Sequence, residues 1–311
     1  MKQPRVEARL RFVNESWRGA ESLARIGSSA EQAVNTSYQR VEITSVRPQQ
    51  EQGLLDLEVN GFTLTEHRTA VRDFSNPAEV ETTYYDEVGP LVKRLTGASV
   101  VLPLQYVVRD ENSTGFDATY VRFVHMDYGG AICAEFRRAL FQECGLRVGE
   151  GADRCDVAFY NTWQPIDHVV ERDPLAWIDA NSLLEEDLSE YLIDGAPGMV
   201  PFYRPGQRIF YCPRMRPDEL LLFKQMDTRP GVRPGCPHAS FVDETSPRDV
   251  RPRRNVDVRW VAVHGPAGLC TGVDQGALDR TKHVLARPAG RGEACLENLS
   301  ASQRRFVEDG R

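Results

Sequence analysis

The strongest constraint on the fold is a series of short apolar-alternating runs with no helical run between most of them. They are LLDLEVNGF (54–62), SVVLPLQYVVR (99–109), ATYVRFVHM (118–126), DVAFYNTW (156–163), QRIFYC (207–212), ELLLFKQM (219–226) and NVDVRWVAVH (255–264). Turn residues separate them at irregular intervals. A doubly wound parallel sheet needs strand-helix alternation, so the pattern predicts a mainly antiparallel β sandwich or barrel with a few packing helices. One helix is expected over 77–96, acidic early and basic late, interrupted near Gly89-Pro90. A second is expected over 131–144, stopped by Gly145, and a third in the closing stretch LENLSASQRRFVEDGR. The segment RPGVRPGCP (229–237) has to be a loop.

The 311 residues suffice for one large domain. No linker is visible, so the reading is a single domain over 1–311 with extensions over about 1–53 and 265–311. With 38 basic against 45 acidic residues the chain carries a net charge of -7, the wrong balance for gripping a phosphate backbone, and nucleic acid is not expected as a partner. There is no apolar run of membrane-spanning length and no apolar core of a secretory signal, so a cytoplasmic protein without a membrane partner is expected. The seven cysteines are odd in number, dispersed and without a C-x-x-C pair, which fits free thiols in a reducing compartment.

Zinc-protease, phosphate-loop and nucleophile-elbow motifs are all absent. The glycine pairs Gly149/Gly151 and Gly290/Gly292 lack the strand-turn-helix setting of a dinucleotide or S-adenosylmethionine site. What remains is His125-Met126-Asp127. Six histidines among this many carboxylates give about one such pair by chance, so the pair alone decides nothing. In an extended segment, however, residues two apart share a face, and His125 and Asp127 could converge on one ion. A second histidine would complete a facial triad, which leaves metal positions open for oxygen and a cosubstrate. His238, entering a short strand after the 229–237 loop, is the candidate; a hydrogen-bonded structural histidine is the plainer alternative.

Beyond it, Arg253, Asn255, Asp257 and Arg259 alternate with Arg254, Val256, Val258 and Trp260. Facing solvent, they would make an ordinary amphipathic strand. Lining a barrel, one guanidinium could hold a dicarboxylate cosubstrate bidentately. Tyr128, beside the metal pair, and Asn161 and Trp163, along a strand, are candidate substrate contacts, with core packing as the alternative for each.

Six blocks, VHMDYGGA (124–131), FYNTWQP (159–165), DPLAWIDANSLLEEDL (173–188), YCPRMRPDELLLFKQMD (211–227), PHASF (237–241) and RNVDVRW (254–260), resemble in this order one oxygenase family. It includes the smaller component of the bacterial cephem 7-alpha-methoxylase system and fungal gibberellin-desaturase-like enzymes, and the likeness spans about 54–264. The resemblance implies a double-stranded β-helix, or jelly-roll, core that uses Fe(II), 2-oxoglutarate and O2. It implies metal ligation by His125, Asp127 and His238, and cosubstrate binding by Arg253 or, second, Arg259. Asn255 stands where related oxygenases have Ser. Gln164 stands where members often have Arg in YNxWRP, so any anion-binding role of that Arg is lost or relocated.

The implied activity is hydroxylation of a cephem at C7 in cephamycin biosynthesis. Methyl transfer would fall to an S-adenosylmethionine-dependent methyltransferase partner, since this chain shows no site for that cofactor. Two alternatives stand beside it: hydroxylation or desaturation of another small metabolite on the same fold, and a non-catalytic subunit of a methyltransferase complex.

Overall fold

The computed structural model describes residues 4–111, 120–146, 151–193, 195–247 and 249–286. Its strands are β1 (Arg5–Val13), β2 (Ala24–Arg25), β3 (Thr36–Ser45), β4 (Phe62–Glu66), β5 (Val100–Asp110), β6 (Asp156–Pro165), β7 (Leu175–Ile178), β8 (Leu188–Ile193), β9 (Ala196–Pro201), β10 (Ile209–Tyr211), β11 (Glu219–Asp227), β12 (His238–Ser240) and β13 (Arg254–His264). They form two five-stranded sheets, ordered β1-β3-β10-β7-β12 and β4-β11-β6-β13-β5, and a three-stranded sheet β2-β8-β9. Pairing is antiparallel except at β3-β10 and β2-β8. The two large sheets face each other across a core shared by Phe62, Trp163, Leu221 and Phe223 from one and Leu175, Trp177 and Phe210 from the other. This is the double-stranded β-helix that the family resemblance implies.

The residues at about 1–53 supply β1 and β3, two of the five strands of one large sheet, and are built into the sandwich. The run 54–62 differs from its expected strand. Asp56 caps a short helix, Leu57–Asn60, by accepting from the backbone N–H groups of Glu58 and Val59, and Gly61 closes it at φ 81°. A side chain at Gly61 would also press on Cys236, with its Cβ 2.7 Å from the thiol sulfur.

The helix expected over 77–96 runs unbroken through Pro90, from Tyr85 to Thr96. Its irregularity comes earlier, as a π turn over Val80–Tyr84. Val88, Leu91 and Val92 pack with Trp260, Val256 and Val258 on the outer face of β13. Trp260 is 1% exposed, worth roughly 1.5–3 kcal/mol in burial, and its indole N–H donates to Thr162 Oγ1 at 2.9 Å. A second helix, Gly130–Glu143, buries Ile132, Phe136 and Leu140 against Phe159 and Val261. The helix Gln275–Thr281, which packs on it, and the turn Lys282–Ala286 follow β13. The helix expected in the closing stretch lies outside the described residues.

Candidate active site

His125 and Asp127 do not lie on a regular strand. The segment around them is held by isolated bridges, Phe123 to Arg11, His125 to His238 and Met126 to Met199. It thereby stitches β1, β12 and β9 together. His125 and His238 exchange both backbone hydrogen bonds, at 3.1 and 2.8 Å, so their side chains leave the same face and their ring centroids lie 4.5 Å apart. Asp127, two residues on, returns to that face, with Oδ1 3.7 Å from His125 Nε2. One ligand atom from each of His125, Asp127 and His238 lies within 4.8 Å of the other two.

Each ring is fixed from behind. His125 Nδ1 lies 2.9 Å from the Phe123 carbonyl, which leaves Nε2 for a metal. The Cys236 backbone, also two residues back, interacts with the His238 ring. Gln225 completes the support: Oε1 accepts from the Asp127 N–H at 2.9 Å and Nε2 lies 3.4 Å from His238 Nδ1. It reaches both because the β11-β6 register shifts between Lys224 and Met226, a bulge that re-aims its side chain.

The inner face of β13 lines the barrel. Arg253, Asn255 and Asp257 are all buried, and Arg259 is partly so. Arg259 Nη2 donates to Asp127 Oδ1 at 2.9 Å and Nε to Oδ2 at 3.2 Å. Its cross-strand neighbour Asn161 donates to the same Oδ2 at 2.7 Å. Burial alone would push the Asp127 carboxyl up, but Arg259, the two imidazoles and the Asn161 hydrogen bond hold it well below the usual carboxylate range. Burial pushes the His238 imidazole down to about 3, with His125 adding to the effect, and lowers His125 likewise. At neutral pH the cluster is two neutral imidazoles and one carboxylate, a donor set suited to a divalent ion with open positions.

Arg253 is in a different environment. It is 1% exposed, and its only side-chain hydrogen bonds among the described residues run from Nη1 to the Asp173 carbonyl and, at 3.4 Å, to Ser240 Oγ. Nε is buried without a partner. The Tyr120 and Trp163 rings lie 4.1 and 5.3 Å from the guanidinium carbon. Burial lowers its pKa to about 9, so it stays charged at neutral pH. A buried cation short of partners fits an anionic ligand. The cavity beside it, about 20 Å³, is walled by Arg253, Ser240 and Trp163 and also by His125 and His238.

That cavity shares Arg109, Val121 and His125 with a wider one of about 650 Å³, into which Asp127, Tyr128 and Arg259 also face. Tyr128 is buried against Phe159, its hydroxyl without a partner. Of the other proposed substrate contacts, Asn161 is turned to the Asp127 carboxylate and Trp163 to Arg253. A larger space of about 980 Å³ between the helix Tyr85–Thr96 and β5 is not lined by the triad, but it shares Leu104, Gln105, Asp279 and Lys282 with the 650 Å³ cavity. Gln164 has no free valence for an anion: Oε1 accepts from Tyr84 and contacts His67 Nδ1, and Nε2 donates to the His67 and Pro217 carbonyls. Sequence reasoning missed Gln225 and Arg109; polar residues within apolar strand runs were the available signal.

The family model described as an oxidoreductase/YMDC permease-like domain matches residues 10–263. The chain is 32% identical over 225 residues to the alpha-ketoglutarate-dependent dioxygenase phiK of Fungal sp. (strain ATCC 74256), spanning 67% of this chain and 79% of that protein. It is 28% identical over 243 residues to the Fe(II)/2-oxoglutarate-dependent dioxygenase nvfI of Aspergillus novofumigatus, spanning 74% and 85%. It is 28% identical over 272 residues to the hydroxylase/desaturase efuI of Hormonema carpetanum, spanning 78% and 90%. The solved iron and alpha-ketoglutarate-dependent endoperoxidase NvfI superimposes with a TM-score of 0.71 at 27% identity, over 84% of this chain and 99% of that one. These likenesses carry the oxygenase part of the resemblance seen in the sequence and give its cephem and methyltransferase parts no support. The chain belongs to the oxidoreductase/YMDC permease-like family and is an Fe(II)/2-oxoglutarate-dependent dioxygenase, with Fe(II), 2-oxoglutarate and O2 as its cofactor and cosubstrates.

Proposed function

We propose that the chain oxidises a C–H bond of a small metabolite, by hydroxylation or desaturation, with Fe(II) bound by His125, Asp127 and His238 and 2-oxoglutarate gripped through Arg253. The observation that carries this is the pairing of three converging ligand atoms with a buried guanidinium short of partners, joined by one cavity. When bound, the metal and 2-oxoglutarate supply the oxidising power, the cosubstrate leaving as succinate and CO2.

The side chains have separate tasks. His125 and His238 are held neutral for ligation, while Arg259 and Asn161 fix the Asp127 carboxylate and keep it ionised. Arg253 takes the distal carboxylate of the cosubstrate, for which the small cavity has to widen, because about 20 Å³ holds little more than one water. Tyr128 faces the substrate space, and Trp163 steadies Arg253 by lying against it.

Efui and nvfI, named as a hydroxylase/desaturase and an endoperoxidase, illustrate that related chains carry different oxidative outcomes. Hydroxylation of a cephem at C7, with a methyltransferase partner, is the narrower reading and rests on the sequence blocks alone. No helix among the described residues is long and apolar enough to cross a membrane.

The test is succinate formation from 2-oxoglutarate with Fe(II) and O2 across a metabolite panel that includes a cephem. Substrate-stimulated succinate, lost in Asp127→Ala, is expected. A folded protein that consumes no 2-oxoglutarate with any substrate would contradict the reading, and inertness toward the cephem alone would remove the narrower one.

A further inference from the structure

A second phenol besides Tyr128 stands in the wall of the 650 Å³ cavity, and it comes from a different element. Tyr191 lies on β8 directly opposite Gly198 of β9. The next residue of β9, Met199, bridges to Met126, which sits between the proposed ligands His125 and Asp127. With no side chain at Gly198 the Tyr191 ring settles onto the strand: a Cβ there would lie 2.4 Å from it. An edge contact with Phe123, ring centroids 5.7 Å apart, fixes it further. The residue is 1% exposed, so its ring has one place to be.

The hydroxyl on this fixed ring makes no hydrogen bond among the described residues. Val121, Phe123 and Ile193 in the same wall offer it no side-chain acceptor. Burial and then the Asp127 carboxylate raise the phenol above its ordinary 10, with Arg259 opposing them more weakly, so it stays protonated and can donate. The pull of Asp127 and Arg259 on it also puts the phenol at the triad end of the cavity. A donor held in an apolar wall gains from a ligand that brings an acceptor, and a ligand without one strands it. For a neutral donor in such a wall the matching acceptor is an uncharged oxygen, and a carbonyl presents two lone pairs without bringing a charge to desolvate.

We propose that Tyr191 is a specificity-determining residue whose hydroxyl donates to a carbonyl oxygen of the substrate, so that the metabolite oxidised is a largely apolar ketone or ester with its carbonyl close to the carbon attacked. This rests on the assignment of the triad and the cosubstrate site given above.

The test uses the full chain loaded with Mn(II) and 2-oxoglutarate and two uncharged probes of nearly the same shape, 2-acetylnaphthalene and 2-isopropenylnaphthalene, which differ in C=O against C=CH2. Bound Mn(II) relaxes the proton resonances of a probe that sits beside it, so the titration reads binding at the triad and not in other apolar spaces. Wild type should bind the ketone about fivefold more tightly than the alkene, the scale of one neutral hydrogen bond. Tyr191→Phe keeps the ring over Gly198 and against Phe123. It should bring the two probes level by weakening the ketone while the alkene binds as before, and the infrared carbonyl stretch of the bound ketone should move to higher frequency. A ketone that Mn(II) does not relax, equal affinities in wild type, or an unchanged preference in folded Tyr191→Phe would overturn the proposal. Calorimetric titration of Mn(II) and 2-oxoglutarate in the same samples reports the underlying assignment separately. Absence of metal or cosubstrate binding defeats that assignment together with the inference drawn from it, whereas normal binding of both with level probes defeats the inference alone.

Discussion

His125 and His238 are backbone partners, each N–H bonded to the other's carbonyl, at 3.1 and 2.8 Å. Two proposed ligands far apart in sequence are therefore positioned by the sheet itself, and their rings meet at 4.5 Å without any long side chain having to be ordered. Asp127 lacks such a direct backbone tie to His238 and depends instead on side chains: Arg259, Asn161 and Gln225.

That dependence predicts a graded response of the metal site. Arg259→Gln and Asn161→Ala each remove one support of the Asp127 carboxylate, and Fe(II) affinity should fall by roughly 10–100-fold, the usual cost of losing a group that orients a ligand. Anaerobic Fe(II) titration measures it. Affinity equal to wild type in both variants would mean that Asp127 needs no orienting.

Arg253→Met should weaken 2-oxoglutarate binding by roughly ten- to a hundredfold, the worth of one or two hydrogen bonds to a charged group, and leave Fe(II) affinity nearly unchanged. The KM for 2-oxoglutarate should carry more of the effect than kcat. Steady-state kinetics at varied cosubstrate separates the two. A normal KM in this variant would move the anchor elsewhere, with Arg259 or Arg109 next in reach.

Gly198 tests whether the bridge segment needs its close packing. A Cβ there would lie 2.4 Å from the Tyr191 ring and 2.8 Å from the Met126 carbonyl oxygen. Gly198→Ala should cost roughly 1–3 kcal/mol through overpacking and weaken Fe(II) binding as the strand beside Met126 is forced away. Thermal unfolding and metal titration on the same sample check both, and an unaltered Tm would contradict the close approach.

Glu219 sets an acid-side stability limit. It is 2% exposed and ion-paired with Arg47. Burial raises its pKa, but Arg47, the Arg216 N–H and the Arg216 charge outweigh this, so the net shift is downward from the ordinary 4.5. A depressed folded pKa gives stability that is fully present above pH 4.5 and is lost as pH falls through the folded value. Glu219→Gln should therefore cost on the order of 1–3 kcal/mol at neutral pH and flatten the fall in Tm below that pH. A parallel Tm profile in wild type and variant would contradict it.

The sequence made much of this site legible because its signals are local in kind. Alternation along β13 marks Arg253, Asn255, Asp257 and Arg259 as one face, although only the packing of Val256, Val258 and Trp260 under a helix decides that the face turns inward. The role of Arg259 on Asp127 was not legible, because it depends on cross-strand register with Asn161. Gln225 was hidden for a related reason: a one-residue bulge changes which side of the strand it serves. The region before residue 54 carries strand patterns too, yet nothing local tells that β3 pairs in parallel with β10, a contact between distant segments. At 54–62 the apolar spacing suggested a strand, and the capping pair Asp56 and Gly61 prevailed.

His125, Asp127 and His238 are proposed to bind Fe(II) in a form that 2-oxoglutarate can chelate. Anaerobic addition of Fe(II) and then 2-oxoglutarate to the apo protein, followed in the visible range, tests it directly in wild type and in His238→Ala. A weak metal-to-ligand charge-transfer band is expected in wild type and none in the variant. A folded, reduced wild type without the band, or an undiminished band in His238→Ala, would contradict it.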